Sequence, residues 1–293
     1  MTRTNITLGS GCIALLLLFA LPSWTIAAEN LSSDGVSKIL EASTLSRTEQ
    51  SEVHAKAVNA VNAGVPKEDV EIILSRAISH KADAGTINRF LDTSVSAKKG
   101  GLPLSPVTDR IEQGLSKGVP PERVAVASER LMVKLTEARP LVDTLIRDGM
   151  TPKRSGERDK AIESSARALE KSIPAEDIKG MGAAVKSRGG SLPLFTSAVN
   201  TATYFAGSGM SVATASRLVR NAVDKGYSTR DLDSMVKHMD AEMKRGTKAE
   251  AAAAKMDREN MQSERGMDRQ DMRRDMMNDR SGGAGPGMGG HMK

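Results

Sequence analysis

The amino-acid sequence predicts an all-α protein: a short helical-repeat array of the α-solenoid type, with about 54 residues and three helices per unit, followed by a polar flexible tail. Three observations carry this prediction. A glycine–proline punctuation motif recurs four times at one fixed spacing. Apolar residues on either side of it step at helical intervals. Aromatic residues make up only 2% of the chain, and its apolar content is mostly Ala, Leu, Val and Met, a balance that favours helices over sheets.

Residues 1–28 read as a secretory signal peptide. Arg3 gives a positive start, Cys12–Leu21 an apolar run, and Thr25-Ile26-Ala27-Ala28 a small-residue end, with cleavage expected after Ala27 or Ala28. The run is shorter than the ~20 residues that span a bilayer, which argues against a membrane anchor. Cys12 lies inside the run, not after it, which argues against a lipid anchor. No later segment is apolar enough to cross a membrane, so no stable insertion is expected after cleavage. The expected address is the periplasm, with full secretion as the alternative.

Cleavage removes the only Cys (Cys12) and the only Trp (Trp24). The remaining 265 residues (293 − 28) hold no thiol for a disulfide, a thiolate metal site or a cysteine nucleophile. The net charge of +6 falls to +5 with the loss of Arg3. Its Lys and Arg are interspersed with acids and lack aromatic neighbours, so a nucleic-acid partner is not expected.

Residues 29–47 are expected to link the signal to a helical repeat domain over 48–245. The repeat shows in four stretches: Gly64-Val65-Pro66, Gly118-Val119-Pro120, Ser172-Ile173-Pro174 and Gly226-Tyr227-Ser228. The three intervals (118 − 64, 172 − 118, 226 − 172) are all 54. The Gly ends one helix, where a left-handed backbone is needed. Pro opens the next, where its missing N–H costs nothing. In the fourth copy Ser228 replaces Pro, with Asp231 three residues on in the manner of a capping box. Acids follow at Glu68, Asp69, Glu122, Glu176 and Asp177, matching the positive helix N-terminus.

Helical periodicity flanks each motif. Before it run the columns Val53/Val107/Ala161/Ala215, Ala57/Ile111/Ser165/Val219 and Val61/Leu115/Leu169/Val223. After it come Val70-Ile73-Leu74-Ala77 in the first copy and their equivalents Val124-Ser128-Leu131, Ile178-Met181-Val185 and Leu232-Met235-Met239. A third helix follows in three copies, marked by Ile87-Phe90-Leu91-Val95, Leu141-Leu145 and Phe195-Ala198-Val199-Ala202. Units of this size cannot bury an apolar face alone, so stacking is expected; a compact bundle is the alternative. Loops are expected at Gly101-Leu102-Pro103 and at 151–156. The wording from Gly101-Leu102-Pro103-Leu104-Ser105-Pro106 to Lys117-Gly118-Val119-Pro120-Pro121-Glu122-Arg123-Val124 resembles uncharacterised exported helical proteins of Gram-negative bacteria. That resemblance covers about 25 residues and implies an address and a helical fold, with no activity attached.

Composition shifts at 246–293, expected to be a mobile helix or disordered tail. Ala249–Ala254 is a strong helix former, Lys255–Arg280 mixes Arg, Asp, Glu and Met, and 281–293 is Gly-rich. Met256, Met261, Met267, Met272, Met276 and Met277, with His291, form a speculative soft-ligand set for Cu(I). Their spacing is irregular, so one helical face would not align them, and Met also serves as a helix-friendly filler.

No catalytic constellation emerges. His54, His80 and His238 pair with no second ligand at helical spacing, and neither a nucleophile elbow nor a phosphate-binding loop is present. No catalytic or cofactor-binding residue is assigned. Two fold-placed carboxylates would suffice for a glycosidase, but the aromatics that stack on sugar rings are scarce. The leading expectation is a non-enzymatic binding or scaffold protein whose helical surface meets a protein or cell-envelope component. Copper handling by the tail is the alternative. The surface singled out is the helix before each motif, whose polar side varies (Glu52 and Lys56, Arg110 and Gln113, Arg220 and Asp224).

Overall fold

The computed structural model describes residues 33–258, which are helical throughout apart from turns, with no strand among them. The first helix, α1 (Ser33–Glu41), lies inside the stretch expected to be a linker. Its Val36 and Leu40, one turn apart, are buried in the core, so the domain begins there and not at residue 48. Nine residues carrying one i,i+4 pair give too short a pattern to read as a core helix from sequence.

Next come α2 (Arg47–Asn62), α3 (Lys67–Ser79) and α4 (Ala84–Lys99). A capping box opens α2: Ser46 Oγ accepts from the Glu49 N–H, and the Glu49 carboxylate accepts from the Ser46 N–H at 2.8 Å. Then follow α5 (Ser105–Ser116), the long α6 (Pro121–Arg147), α7 (Glu157–Glu170), α8 (Ala175–Ser187) and α9 (Leu192–Gly207). The chain continues through α10 (Val212–Asp224) and α11 (Thr229–Lys244) into a helical run over 249–258.

The four motif positions terminate α2, α5, α7 and α10 with the same backbone. Gly64, Gly118, Ser172 and Gly226 have φ of +91°, +70°, +62° and +87°. In each, the N–H of this residue donates to the carbonyl three back and that of the next residue to the carbonyl five back. This Schellman pattern satisfies two orphan carbonyls at the helix end. Pro66, Pro120 and Pro174 sit one place ahead of the following helix, at its N-cap. Ser228 caps α11 through the expected box with Asp231.

The second copy departs from three short helices: α6 runs unbroken for 27 residues. Its Leu135 aligns with Lys81 and Gly189, which adopt φ of +56° and +64° between α3 and α4 and between α8 and α9. Leu135 is instead fully buried in a continuing helix. A left-handed leucine would be strained, and a break would expose its side chain. Pro140, aligned with the first turns of α4 and α9, thus falls inside α6, where it withdraws an N–H from the helix.

Helix contacts join neighbours or next-but-one neighbours along the chain: α2 on α4 and α7 on α9, α3 on α5 and α8 on α10, α4 on α6 and α9 on α11. One apolar cluster runs from Val36 to Met256, with Phe90, Phe195 and Phe205 fully buried. The first two predicted columns are entirely buried, and Ser165 is the one polar residue in them. Exposed ion pairs cross the same interfaces, including Lys56–Asp92 at 2.8 Å and bidentate Arg89–Glu129 at 2.8 Å, each worth at most about 1 kcal/mol.

The region assigned to the tail also contributes to the core. Ala249, Ala252, Ala253 and Met256 are buried, Lys255 reaches Glu242 at 2.9 Å, and Glu250 accepts the Ser211 N–H at 2.6 Å. Alanine-rich sequence looks featureless, but the run is tied to α11 through Lys255–Glu242 and to the start of α10 through Glu250–Ser211. The domain therefore extends past residue 246.

Candidate functional site

Helix α9 has no charged residue in its sequence LPLFTSAVNTATYFAG, although 27% of the whole chain is charged. One face carries Phe195, Ala198, Val199, Ala202 and Phe205 into the core. The opposite face presents Thr196, Asn200, Thr203 and Gly207, three or four residues apart, as the floor of a groove of about 880 Å³. One wall comes from α7 with Lys160, Arg167 and Lys171, joined by Arg154 and Glu157 at its start. The other comes from α11 with Asp233 and Val236, and Tyr204 stands at that side.

The polar groups of the floor divide into two kinds. Thr196, Thr203 and Ser208 donate their hydroxyl hydrogens to backbone carbonyls one turn back (Leu192, 3.0 Å; Val199, 2.7 Å; Tyr204, 2.9 Å). They present only lone pairs to the groove. Ser197, Asn200 and Thr201 also line the groove, and among the described residues their side chains have no hydrogen-bond partner. Thr201 is only 3% exposed. Its hydroxyl is not sealed from the groove, unlike those of Ser165 and Ser216, which are buried without a partner.

Arg167 is held by Glu163 on its own helix. Lys160, Lys171 and Arg154, by contrast, have no carboxylate partner among the described residues. Tyr204 donates its hydroxyl to Asp240, and this bond raises the phenol above its ordinary pKa and fixes it protonated. Past Arg167, Lys171 and Thr203 the groove runs on into a hollow of about 420 Å³, and past Arg110 and Glu170 into another of about 930 Å³.

Comparison with protein-family models, curated proteins and solved structures finds no match.

Of the surface singled out from sequence, Arg110 and Gln113 line the second hollow, Arg110 pairing with Glu170 at 3.0 Å. Glu52 and Lys56 do not join it: they bind Asn88 (2.7 Å) and Asp92 across the α2–α4 contact. Arg220 and Asp224 are exposed on α10 outside the hollows. Met256 is buried in the core, whereas Met261, Met267, Met272, Met276, Met277 and His291 lie outside the described residues. Among the described residues, no three His, Cys, Asp or Glu side chains gather as metal ligands. The groove floor was missed because α9 was read for its apolar columns alone. The usable signal was a solvent-facing helical stripe made only of small uncharged polar residues.

Proposed function

We propose that this is an exported, non-enzymatic binding protein in which stacked units of about 54 residues hold an envelope component in the groove floored by α9. The observation that carries this reading is a groove whose floor is made of uncharged polar groups of α9 and whose wall carries Arg154, Lys160, Arg167 and Lys171. The repeat reading is supported by four equivalent left-handed caps 54 residues apart and by contacts confined to near neighbours along the chain. The second copy adapts the unit by fusing two helices. A groove of this volume falls in the range of small-ligand sites.

A photo-cross-linker placed at Asn200 in the native envelope tests the assignment, with Ile72 (43% exposed, on α3) as the control position. Adducts specific to Asn200 are expected. Adducts at Ile72 without any at Asn200 would move the binding surface elsewhere.

A further inference from the structure

We infer that the α9 groove takes an anionic saccharide, a sugar carrying carboxylate or phosphate groups. This rests on reading the groove as the binding site and goes further by naming the ligand from the chemistry of its lining.

Charge sets the first requirement. Some cations on this protein pair with a carboxylate of a neighbouring helix, as in Arg89–Glu129, Arg110–Glu170 and Arg158–Asp143. Lys160, Lys171 and Arg154 line one wall and find no such partner. Two carboxylates, Glu157 and Asp233, also line the groove, so its four cations, Arg154, Lys160, Arg167 and Lys171, remain in excess. Like charges held along one wall repel each other, and an anion in the groove relieves that repulsion.

The floor sets the second requirement. Thr196, Thr203 and Ser208 have spent their hydrogens on backbone carbonyls and can only accept. Ser197, Asn200 and Thr201 can both donate and accept. Sulfate alone would satisfy the lysines and leave the accepting oxygens without donors, and phosphate brings too few P–OH hydrogens to serve the whole floor. Sugar hydroxyls supply donors and acceptors together, and an acidic group on the same molecule meets the cations.

A peptide fits less well. It would anchor by burying side chains, and the aliphatic lining is confined to Pro193 and Val236. The Tyr204 ring, tethered by Asp240, is a wall against which sugar C–H groups can pack.

The test is calorimetric titration of the mature chain, residues 29–293. Four probes separate the chemistries: trigalacturonate, its neutral methyl ester, trehalose 6-phosphate and triglutamate. The expected result is binding of trigalacturonate or trehalose 6-phosphate, which also distinguishes a carboxylate from a phosphate as the anionic group. The methyl ester should bind at least ten-fold more weakly than trigalacturonate. The double variant Lys160→Gln/Lys171→Gln should lose at least ten-fold in affinity for the bound charged sugar. Thr201→Val, which keeps the shape and removes the hydroxyl, should lose several-fold. Lys98→Gln/Lys99→Gln, the same charge change outside the groove, should be unaffected.

Equal binding of ester and acid would overturn the inference, as would preference for triglutamate, which would indicate an acidic peptide. Silence with both charged sugars would also overturn it. The Asn200 cross-link separates this from the broader reading: an Asn200 adduct together with silent sugar titrations rejects the ligand class and keeps the groove.

Discussion

Ser172 occupies the one motif position of the four that lacks glycine, yet it holds φ of +62° like its equivalents. An L-residue pays about 1–2 kcal/mol in this region because Cβ crowds the following carbonyl. Glycine escapes that strain but brings a more mobile unfolded chain, worth roughly 0.5–1 kcal/mol. The difference leaves Ser172→Gly stabilising by about 0.5–1 kcal/mol. Little else should change. Ser172 is exposed, its side chain makes no hydrogen bond with the described residues, and its backbone bond to Leu169 (3.1 Å) does not depend on the side chain. For a domain of this size the melting temperature should rise by roughly 1–4 °C. The reverse experiment uses Gly118, at φ of +70°, where an added Cβ would meet nothing within 4 Å. Gly118→Ser should therefore lose a similar amount through strain alone. Thermal melts followed by circular dichroism measure both variants. An unchanged or lower melting temperature for Ser172→Gly, or a higher one for Gly118→Ser, would refute the claim that the four positions share one left-handed cap.

Four further outcomes are expected. Ser165→Ala should raise the urea midpoint by an amount corresponding to about 1 kcal/mol, because the buried hydroxyl has no partner and sits in a column otherwise of Ala, Ile and Val. Truncation after residue 246 should cost at least ~2–5 kcal/mol from loss of Met256 burial alone. Acid should destabilise the fold. Hydrogen bonds hold Glu49, Asp231 and Glu242 below the usual carboxylate range, through Ser46, Ser228 and Lys255 respectively. Their stabilisation is present above the ordinary values of about 4 and is lost as pH falls through the lowered ones, so urea midpoints should be level from pH 7 to 5 and drop below pH ~4. Asp69, raised by burial beside Glu68 and Asp109, works weakly in the opposite direction. Finally, Cu(I) competition titrations on 29–293 and on 29–258 address the tail, since the shorter chain keeps every described core residue up to Met256: tight binding by the longer chain only would establish the Met-rich set as a copper site, and silence from both would retire it.

Helix class, cap positions and the buried columns were legible in the sequence because each follows from local chemistry. A residue without Cβ, a ring without N–H, or an apolar step of four acts within one or two turns, and Gly64 through Gly226 carry that chemistry openly. What only tertiary structure decided lay in the choices between locally acceptable alternatives. Leu135 keeps α6 unbroken because burying it outweighs a turn that its neighbours would otherwise permit. Val36, Leu40, Ala252 and Met256 join the core because neighbouring helices offer them surface, which no window of the sequence contains. The groove belongs to the same class: Lys160, Asn200 and Val236 lie on three helices separated by 40 and 36 residues, and they meet only because α9 packs between α7 and α11. Local sequence sets what each turn of chain can do, and long-range burial selects which of those options are taken together.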